Sequence, residues 1–276
     1  MEQSVIKRTY EQGKHRFLLL SDIHWDNPKC NRKLLKKHLD EALEGGHHIL
    51  LNGDTLDLMG GKKDRRADKE TVRPEHNVNN YFDAVIEDAA EFFKPYAHLI
   101  QLIGYGNHET AIIKHNEIDP LKSLAKMIDR EDSLGTYGGW VILTFMGNPK
   151  NKEQVSLRLK YHHGSGGGGP VTKGVIQFNR MATMIEGADI IWSGHVHEST
   201  ELVYTLERLN QYFIPELRNV LMVRTPTYKE EYLPGMGWHT ERGGAPKPLG
   251  GRWLEVNVRR GKAWVKDFYT TQTSSL

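Results

Sequence analysis

Short apolar runs that end in a polar turn recur along the chain. Each is hydrophobic enough to be a buried strand, and most of the turns contain glycine. In order they read RFLLLSDIH, HHILLNGDT, HLIQLIGYGNHE, VSLRLKYHHG and ADIIWSGHVH. Between them, apolar residues recur at helical spacing over Arg32 to Leu43, Tyr81 to Phe93 and Pro120 to Ile128. Strands that alternate with helices predict an α/β fold with a largely parallel sheet covered on both faces.

Three later apolar segments, WVILTF, RNVLMVRT and RWLEVNV, have fewer helical stretches around them. They predict a second sheet that is partly antiparallel or mixed. Two segments have no apolar period: the polar stretch from Gly60 to Asn80 and a loop-rich stretch near residues 224–250. We expect a single domain over residues 1–276, with residues 60–80 as an exposed insertion loop or, alternatively, a lid over a substrate.

The composition is ordinary for a soluble globular protein. Hydrophobic residues make up 38% of the chain and charged residues 26%, and no apolar run is long enough to cross a membrane. The opening segment lacks the apolar stretch of a signal peptide, and Cys30, the only cysteine, excludes an intrachain disulfide. These features predict a cytoplasmic protein without membrane contact. A net charge of +2 is too small to indicate nucleic-acid binding by itself.

Side chains able to bind metal stand at the end of all five alternating strands. The carboxyl ends of parallel strands meet at one edge of a sheet, where open α/β folds bind their ligands. Each pair is a weak signal alone, because buried histidines bonded to backbone carbonyls are common. Their recurrence favours one shared site. The set is Asp22 and His24, Asp54 and Asp57, Asn107 and His108, His162 and His163, and His195 and His197.

The donor types predict two metal ions. In an extended segment residues i and i+2 project to the same side, so Asp22 and His24 would reach one ion; His195 and His197 repeat this spacing. Mixed oxygen and imidazole donors suit manganese, iron, zinc, cobalt or nickel better than calcium. The donors are too many for one ion, and a carboxylate such as Asp54 can bridge two. We expect two divalent cations, manganese first, with magnesium also open.

The motifs SDIH, NGDTLD, GNHE, HHG and GHVH, in this order between Ser21 and His197, resemble the five motifs of the calcineurin-like metallophosphoesterases. Both the order and the content of the motifs match, over about two thirds of the chain. The resemblance implies a four-layer α/β/β/α sandwich of two mixed sheets flanked by helices.

The resemblance also divides the metal ligands into two sets that share one carboxylate. One set is Asp22, His24 and His197; the other is Asn107, a histidine of the fourth motif and His195; the bridging carboxylate is Asp54. The fourth motif leaves His162 and His163 open. We prefer His163, because the family's ligand often directly precedes a glycine, and His162 would then point away into the fold.

His108 resembles the family's histidine that binds no metal, contacts the phosphate and protonates the leaving oxygen. Asp57 resembles the carboxylate that orients this histidine; a turn carboxylate is the alternative. A histidine that donates to a carboxylate has a fixed tautomer and a raised pKa, which suits a general acid near neutral pH. Glu109 is expected to secure the loop rather than to bind metal. The resemblance thus implies hydrolysis of a phosphate ester by a hydroxide that bridges two metal ions.

The sequence defines the substrate less closely. We prefer a nucleotide or nucleic-acid phosphodiester, because the segment from Arg224 to Arg242 mixes basic and aromatic residues and loosely resembles phage-type DNA-repair phosphoesterases. The same segment could equally be a loop packed over the sheet. Basic residues between Lys62 and Arg73 are a weak sign of DNA contact, because acidic residues dilute them. A phosphomonoester substrate, a protein or small-molecule phosphatase, and an inactive scaffold of this fold remain the alternatives, and the oligomeric state stays open.

Overall fold

The computed structural model describes residues 4–60, 72–147, 153–167, 169, 171–233, 235, 238–241, 243–261 and 263–274. The strands are β1 Val5–Glu11, β2 Gly13–Leu20, β3 His48–Asn52, β4 Ile100–Gly104, β5 Gly138–Met146, β6 Gln154–His162, β7 Ile190–Ser193, β8 Thr200–Leu209, β9 Pro215–Arg224, β10 Arg252–Arg260 and β11 Trp264–Gln272. The helices are α1 Arg32–Glu44, α2 Tyr81–Phe93, α3 Asn107–Asn116, α4 Pro120–Met127, α5 Val175–Met184 and α6 Trp238–Glu241. Short 3-10 turns lie at Pro74–His76, Lys94–Leu99 and Glu131–Ser133.

The strands form two mixed sheets. The five-stranded sheet has the order β11-β10-β2-β3-β4, in which β2, β3 and β4 are parallel and β10 is antiparallel to β2 and β11. The six-stranded sheet has the order β1-β5-β6-β7-β9-β8. In it β6, β7 and β9 are parallel, while β5 and β8 each lie antiparallel to a neighbour. The two mixed sheets with their helices confirm the predicted fold class.

The distribution of strands between the sheets differs from the first expectation. The strands of the fourth and fifth motifs, β6 and β7, do not continue the sheet of the first three motifs but lie in the six-stranded sheet. Conversely, the segment RWLEVNV forms β10 and pairs with β2. An apolar run reports that a strand is buried, but it does not specify the neighbour with which the strand pairs.

The apolar run of β2 shows how the layers arise. Phe17 and Leu19 point into the core between the sheets, whereas Leu18 and Leu20 point into the core under the helices. All four side chains are fully buried, because both faces of the sheet are covered. Helices α1, α2 and α4 cover the five-stranded sheet, and α5 packs with Phe178 on the outer face of the six-stranded sheet. The layers therefore follow the order α/β/β/α.

The helix predictions agree closely with the structure. The first helix extends one residue further than predicted, to Glu44, the second has the predicted bounds, and the third ends at Met127 instead of Ile128. Helix α1 begins after Asn31, whose side chain accepts a hydrogen bond from the Leu34 amide. The segments of α3 and α5 were not predicted as helices. Helix α3 begins inside the third motif, so that its first residues belong to the site.

Much of the predicted insertion, residues 61–71, lies outside the described residues, and so do most of its basic side chains. The remainder is anchored to the fold: His76 is buried, and its Nε2 lies 2.9 Å from Oδ2 of Asp88 on α2. Arg73 donates to the backbone carbonyls of Asn27 and Cys30. Within the described ranges, no helix is long and apolar enough to cross a bilayer.

Candidate metal centre

The loops that carry the predicted ligands adopt a left-handed backbone that side chains other than glycine rarely take. The residues concerned at the site, with their φ angles, are Asp22 at 53°, His24 at 51°, Asp54 at 48°, His195 at 72° and His197 at 57°. The extended geometry expected for Asp22 and His24 is therefore wrong: β2 ends at Leu20, and the two residues follow in a turn. Such strained conformations persist only where surrounding contacts fix them, and they cluster at functional sites.

Hydrogen bonds between the loops supply those contacts. The amides of Asp22 and His24 donate to the carbonyls of Gly53 and Asp54 at 3.0 and 2.9 Å. Gly53 itself has a φ of 80°, and a Cβ there would lie 2.6 Å from the Gly106 amide nitrogen. Glycine is thus required where the loops after β3 and β4 meet. The loops after β2, β3 and β4 therefore form one rigid support.

The first group of donors consists of Asp22, His24 and His197. Their donor atoms all lie within 4.8 Å of one another. Nε2 of His24 lies 3.3 Å from Nε2 of His197, and the latter lies 3.4 Å from Oδ1 of Asp22. This group joins residues that follow β2 in one sheet and β7 in the other.

The second group consists of Asp54, His163 and His195, again within 4.8 Å. Nε2 of His163 lies 3.2 Å from Oδ2 of Asp54 and 3.9 Å from Oδ1 of Asp22, so the two groups adjoin. His163 is therefore the fourth-motif histidine that the structure brings to the site. The Nδ1 atom of His162 instead accepts a hydrogen bond from the Gly164 amide at 3.0 Å.

Three of these histidines share a tautomer that leaves Nε2 without a proton when the ring is neutral. In each, Nδ1 donates to an oxygen that can only accept: His24 to Asp57 at 2.7 Å, His197 to Glu231 at 3.1 Å, and His163 to the Asn52 carbonyl at 2.8 Å. Neutral rings with this tautomer direct their Nε2 lone pairs toward carboxylates or toward each other. Lone pairs on Nε2 and on carboxylate oxygens repel one another at these distances. A cation between them would remove the repulsion.

Two buried polar atoms without hydrogen-bond partners also indicate that the site binds a cation. Oδ1 of Asn107 and Nε2 of His163 make no hydrogen bond although both are buried. A buried acceptor without a partner costs free energy unless it has another role, such as binding an ion. Carboxylate, amide and imidazole donors together suit a divalent transition metal. The residues of the site therefore fit two divalent cations.

The carboxylates of the site also raise the pKa of two histidines. Burial opposes protonation of His163, but Asp54 outweighs it and raises the pKa of this ring to about 10. Burial likewise opposes protonation of His197, yet its bonds to Asp22 and Glu231 raise its pKa to about 9. Protons and metal ions therefore compete for these two rings near neutral pH.

His108 belongs to neither of these two groups, but its donor atom lies within 4.8 Å of those of His24 and Asp57. Its Nε2 is 3.9 Å from Oδ2 of Asp54, and its Nδ1 donates to the backbone carbonyl of Asp57 at 2.7 Å. The carboxylate of Asp57 is further away, at 3.6 Å, and binds His24 instead. Burial lowers the pKa of His108, but Asp54 and Asp57 raise it by more. The ring is thus oriented by the main chain of Asp57 rather than by its carboxylate.

Glu109 holds the loops together. Its carboxylate accepts hydrogen bonds from the amides of Asp54, Leu56 and Gly106, at 3.1, 3.0 and 2.8 Å. These contacts fix the backbone of Asp54 and the start of α3. They agree with the expectation that this residue secures the loop.

The segment after β9 packs against the site. Arg224, the last residue of β9, and Tyr228, in the loop that follows, are fully buried, so neither is available to a nucleic acid; the interpretation as a packed loop is correct for Tyr228, whereas Arg224 belongs to the sheet. Lys229 forms an ion pair with Asp57, and Glu231 accepts a hydrogen bond from His197. Glu231 was not identified from the sequence, because it lies 34 positions beyond His197 in a segment without a recognisable motif.

The chain matches one protein family, described as calcineurin-like phosphoesterase, over residues 15–199. No curated protein matches it. Among solved structures, protein TM1076 of Thermotoga maritima is 13% identical with a TM-score of 0.34, over 93% of this chain and 99% of that chain. GAP50, named as the anchor in the inner membrane complex of Plasmodium, is 11% identical with a TM-score of 0.41, over 95% and 89%. Vps29 of Chaetomium thermophilum is 9% identical with a TM-score of 0.33, over 94% and 100%.

Proposed function

This chain belongs to the calcineurin-like phosphoesterase family, and on that premise we propose that it is a metal-dependent hydrolase of phosphodiesters, with nucleotides or nucleic acids as the first substrate class. The observation that carries the proposal is the pair of adjoining donor groups with His108 beside them. Two metal sites next to a general acid are the parts that hydrolysis of a phosphate ester requires.

The residues divide between two cations as follows. Asp22, His24 and His197 would hold one; Asn107, His163 and His195 would hold the other; Asp54 would contact both. Bound divalent ions would neutralise the phosphate oxygens and activate water at neutral pH. The donor set favours manganese, iron, zinc, nickel, cobalt or magnesium over calcium.

His108 is the group that would protonate the leaving oxygen. Its Nδ1 is committed to the Asp57 carbonyl, so Nε2 is the atom that faces the site and carries the exchangeable proton. The neighbouring carboxylates raise its pKa against the effect of burial, which favours the protonated form that a general acid requires. The protein supplies no cysteine nucleophile for a covalent route, because Cys30 is buried and burial raises the pKa of its thiol to about 12.

The charge around the site favours a diester over a monoester. Serine/threonine protein phosphatases of this family carry an arginine after the second aspartate, where this chain has Leu58, which is fully buried. Lys229 is close to the site but is paired with Asp57 and Glu231. A diester, which carries one negative charge less than a dianionic monoester, makes the smaller demand on such cations. The buried Arg224 and Tyr228 give no support for base stacking. The choice of a nucleic acid or nucleotide therefore rests on the loose resemblance of the sequence to phage-type DNA-repair phosphoesterases.

The test is hydrolysis of bis(p-nitrophenyl) phosphate and of p-nitrophenyl phosphate by metal-stripped protein to which manganese, nickel, zinc or magnesium is restored. We expect metal-dependent cleavage of the diester that exceeds cleavage of the monoester and is lost in Asp54→Asn. Asp267→Asn, which removes an exposed carboxylate paired with Arg259, serves as the matched control and should retain activity. Absence of turnover with every metal, or equal turnover in Asp54→Asn, would refute the proposal.

A further inference from the structure

Two charged residues of the segment after β9 complete a closed ring of contacts behind the first donor group. Nζ of Lys229 lies 3.3 Å from Oδ1 of Asp57 and 3.6 Å from Oε1 of Glu231. Asp57 accepts from Nδ1 of His24, and Glu231 accepts from Nδ1 of His197. The two histidines then meet at 3.3 Å through Nε2. One ammonium group thus links the two carboxylates that orient two ligands of the same site.

The segment is fixed in place by the loop of the first motif. The Thr227 hydroxyl and the Tyr228 amide both donate to the carbonyl of Asp22, at 2.7 and 3.0 Å. The Glu230 amide donates to the Lys29 carbonyl at 2.9 Å. The lysine and the carboxylate are therefore held by backbone contacts, and their positions do not depend on their own side-chain pairing.

We propose that Glu231 and Lys229 are positioning residues that set the metal affinity of the site formed by Asp22, His24 and His197, and that they act in opposite directions. The inference rests on the proposed function only in that this site holds a metal ion. None of the five motifs includes either residue.

Glu231 strengthens the site. A carboxylate that accepts from Nδ1 of a ligating histidine fixes the tautomer, orients the ring and makes Nε2 a better donor. Loss of such a partner typically weakens metal binding by about 10- to 100-fold. Glu231→Ala should weaken one of the two metal-binding events by this amount, while Glu231→Gln, which retains an oxygen acceptor, should weaken it less.

Lys229 weakens the site. Its ammonium group draws electron density of both carboxylates away from the histidines and repels a nearby cation. Because Lys229 is largely buried, solvent screens this repulsion poorly. Lys229→Met keeps the length of the side chain and removes the charge, so it should tighten binding at the same site by a few-fold. A role confined to packing would instead predict weaker binding in this variant as well.

The experiment is calorimetric titration of Mn²⁺ into metal-stripped full-length protein and the three variants. Glu230→Gln is the matched control, since the adjacent Glu230 carboxylate accepts from the amides of Tyr232 and Leu233 and, among the described residues, makes no contact with the donor groups. We expect weaker binding of one ion in Glu231→Ala, tighter binding in Lys229→Met, and unchanged binding in the control. Unchanged binding in Glu231→Ala, or weaker binding in both Glu231→Ala and Lys229→Met, would overturn the inference.

The titration separates this inference from the proposed function. A wild-type chain that binds two Mn²⁺ ions but cleaves no phosphate ester would refute the proposed function and leave the comparison of affinities intact. A chain that cleaves the diester while Glu231→Ala retains wild-type affinity would refute only the inference. A wild-type chain that binds no Mn²⁺ would overturn both.

Discussion

The Nε2 atoms of His24 and His197 lie 3.3 Å apart, although 173 positions separate the two residues in the chain. One follows β2 of the five-stranded sheet and the other lies beyond β7 of the six-stranded sheet. Each ring donates its Nδ1 proton to a carboxylate, so both facing nitrogens carry lone pairs when the rings are neutral. The contact is repulsive for two neutral rings and favourable once a shared cation lies between them.

Replacement of one of these rings should therefore remove one metal ion. In His24→Ala we expect metal content to fall from two ions to about one per chain, measured by elemental analysis after dialysis, and diester hydrolysis to fall by at least about 100-fold. His98→Ala removes an exposed histidine and is the control. Retention of two ions in His24→Ala would mean that the ring is not a ligand.

His108 should behave differently, because the proposal assigns it proton transfer and not metal binding. His108→Ala should keep two metal ions and lose about 10²- to 10⁴-fold in kcat on a diester with a poor, alkoxide-type leaving group. The loss should be much smaller on bis(p-nitrophenyl) phosphate, since p-nitrophenolate leaves without a proton. Equal losses on both substrates would argue against a general acid at this position.

Metal affinity should increase with pH. The pKa of His163 is raised to about 10 and that of His197 to about 9, so both rings bind protons at neutral pH unless a metal displaces them. Competition with protons is strongest at low pH, and affinity should rise by about tenfold per pH unit for each displaced proton until the pH approaches these values. Mn²⁺ titrations at pH 6, 7 and 8, with proton release followed in weak buffer, measure this slope. A flat profile would show that no proton leaves these rings on binding.

Gly53 should resist substitution more than Gly46, which has a left-handed backbone but no close neighbour. The Cβ that Gly53→Ala introduces would lie 2.6 Å from the Gly106 amide nitrogen and 2.6 Å from Nδ1 of His163. Gly46, with a φ of 60°, has no atom within 4 Å of such a Cβ. Its substitution therefore measures the cost of the left-handed backbone without a steric contact. We expect Gly46→Ala to lower the free energy of unfolding by about 1–2 kcal/mol and Gly53→Ala by about 3 kcal/mol or more. Urea denaturation of both variants measures the difference, and equal losses would contradict the tight contact.

The stretch that begins at Arg224, the end of β9, shows where reasoning from one sequence fails. Its mixture of basic and aromatic residues suggested a surface for nucleic acid, yet Arg224 and Tyr228 are buried. The guanidinium of Arg224 donates to the Ser193 hydroxyl, the Lys173 carbonyl and the Gln177 side chain. Composition alone cannot separate a basic residue on the surface from one that satisfies buried acceptors, because both have the same local sequence.

By itself, the sequence determined which of the predicted strands are buried, where helices α1, α2 and α4 lie, and which donors stand at the strand ends. These are local properties: apolar periodicity follows from burial, and the type of donor is visible in each motif. Only the tertiary structure decided that β6 and β7 lie in the other sheet, that the ligand loops turn through a left-handed backbone, and that the Asp57 carboxylate serves His24. It also brought Lys229 and Glu231 to the site. Pairing between strands and contacts across about 170 positions depend on how the two sheets pack together, and no local pattern encodes that packing.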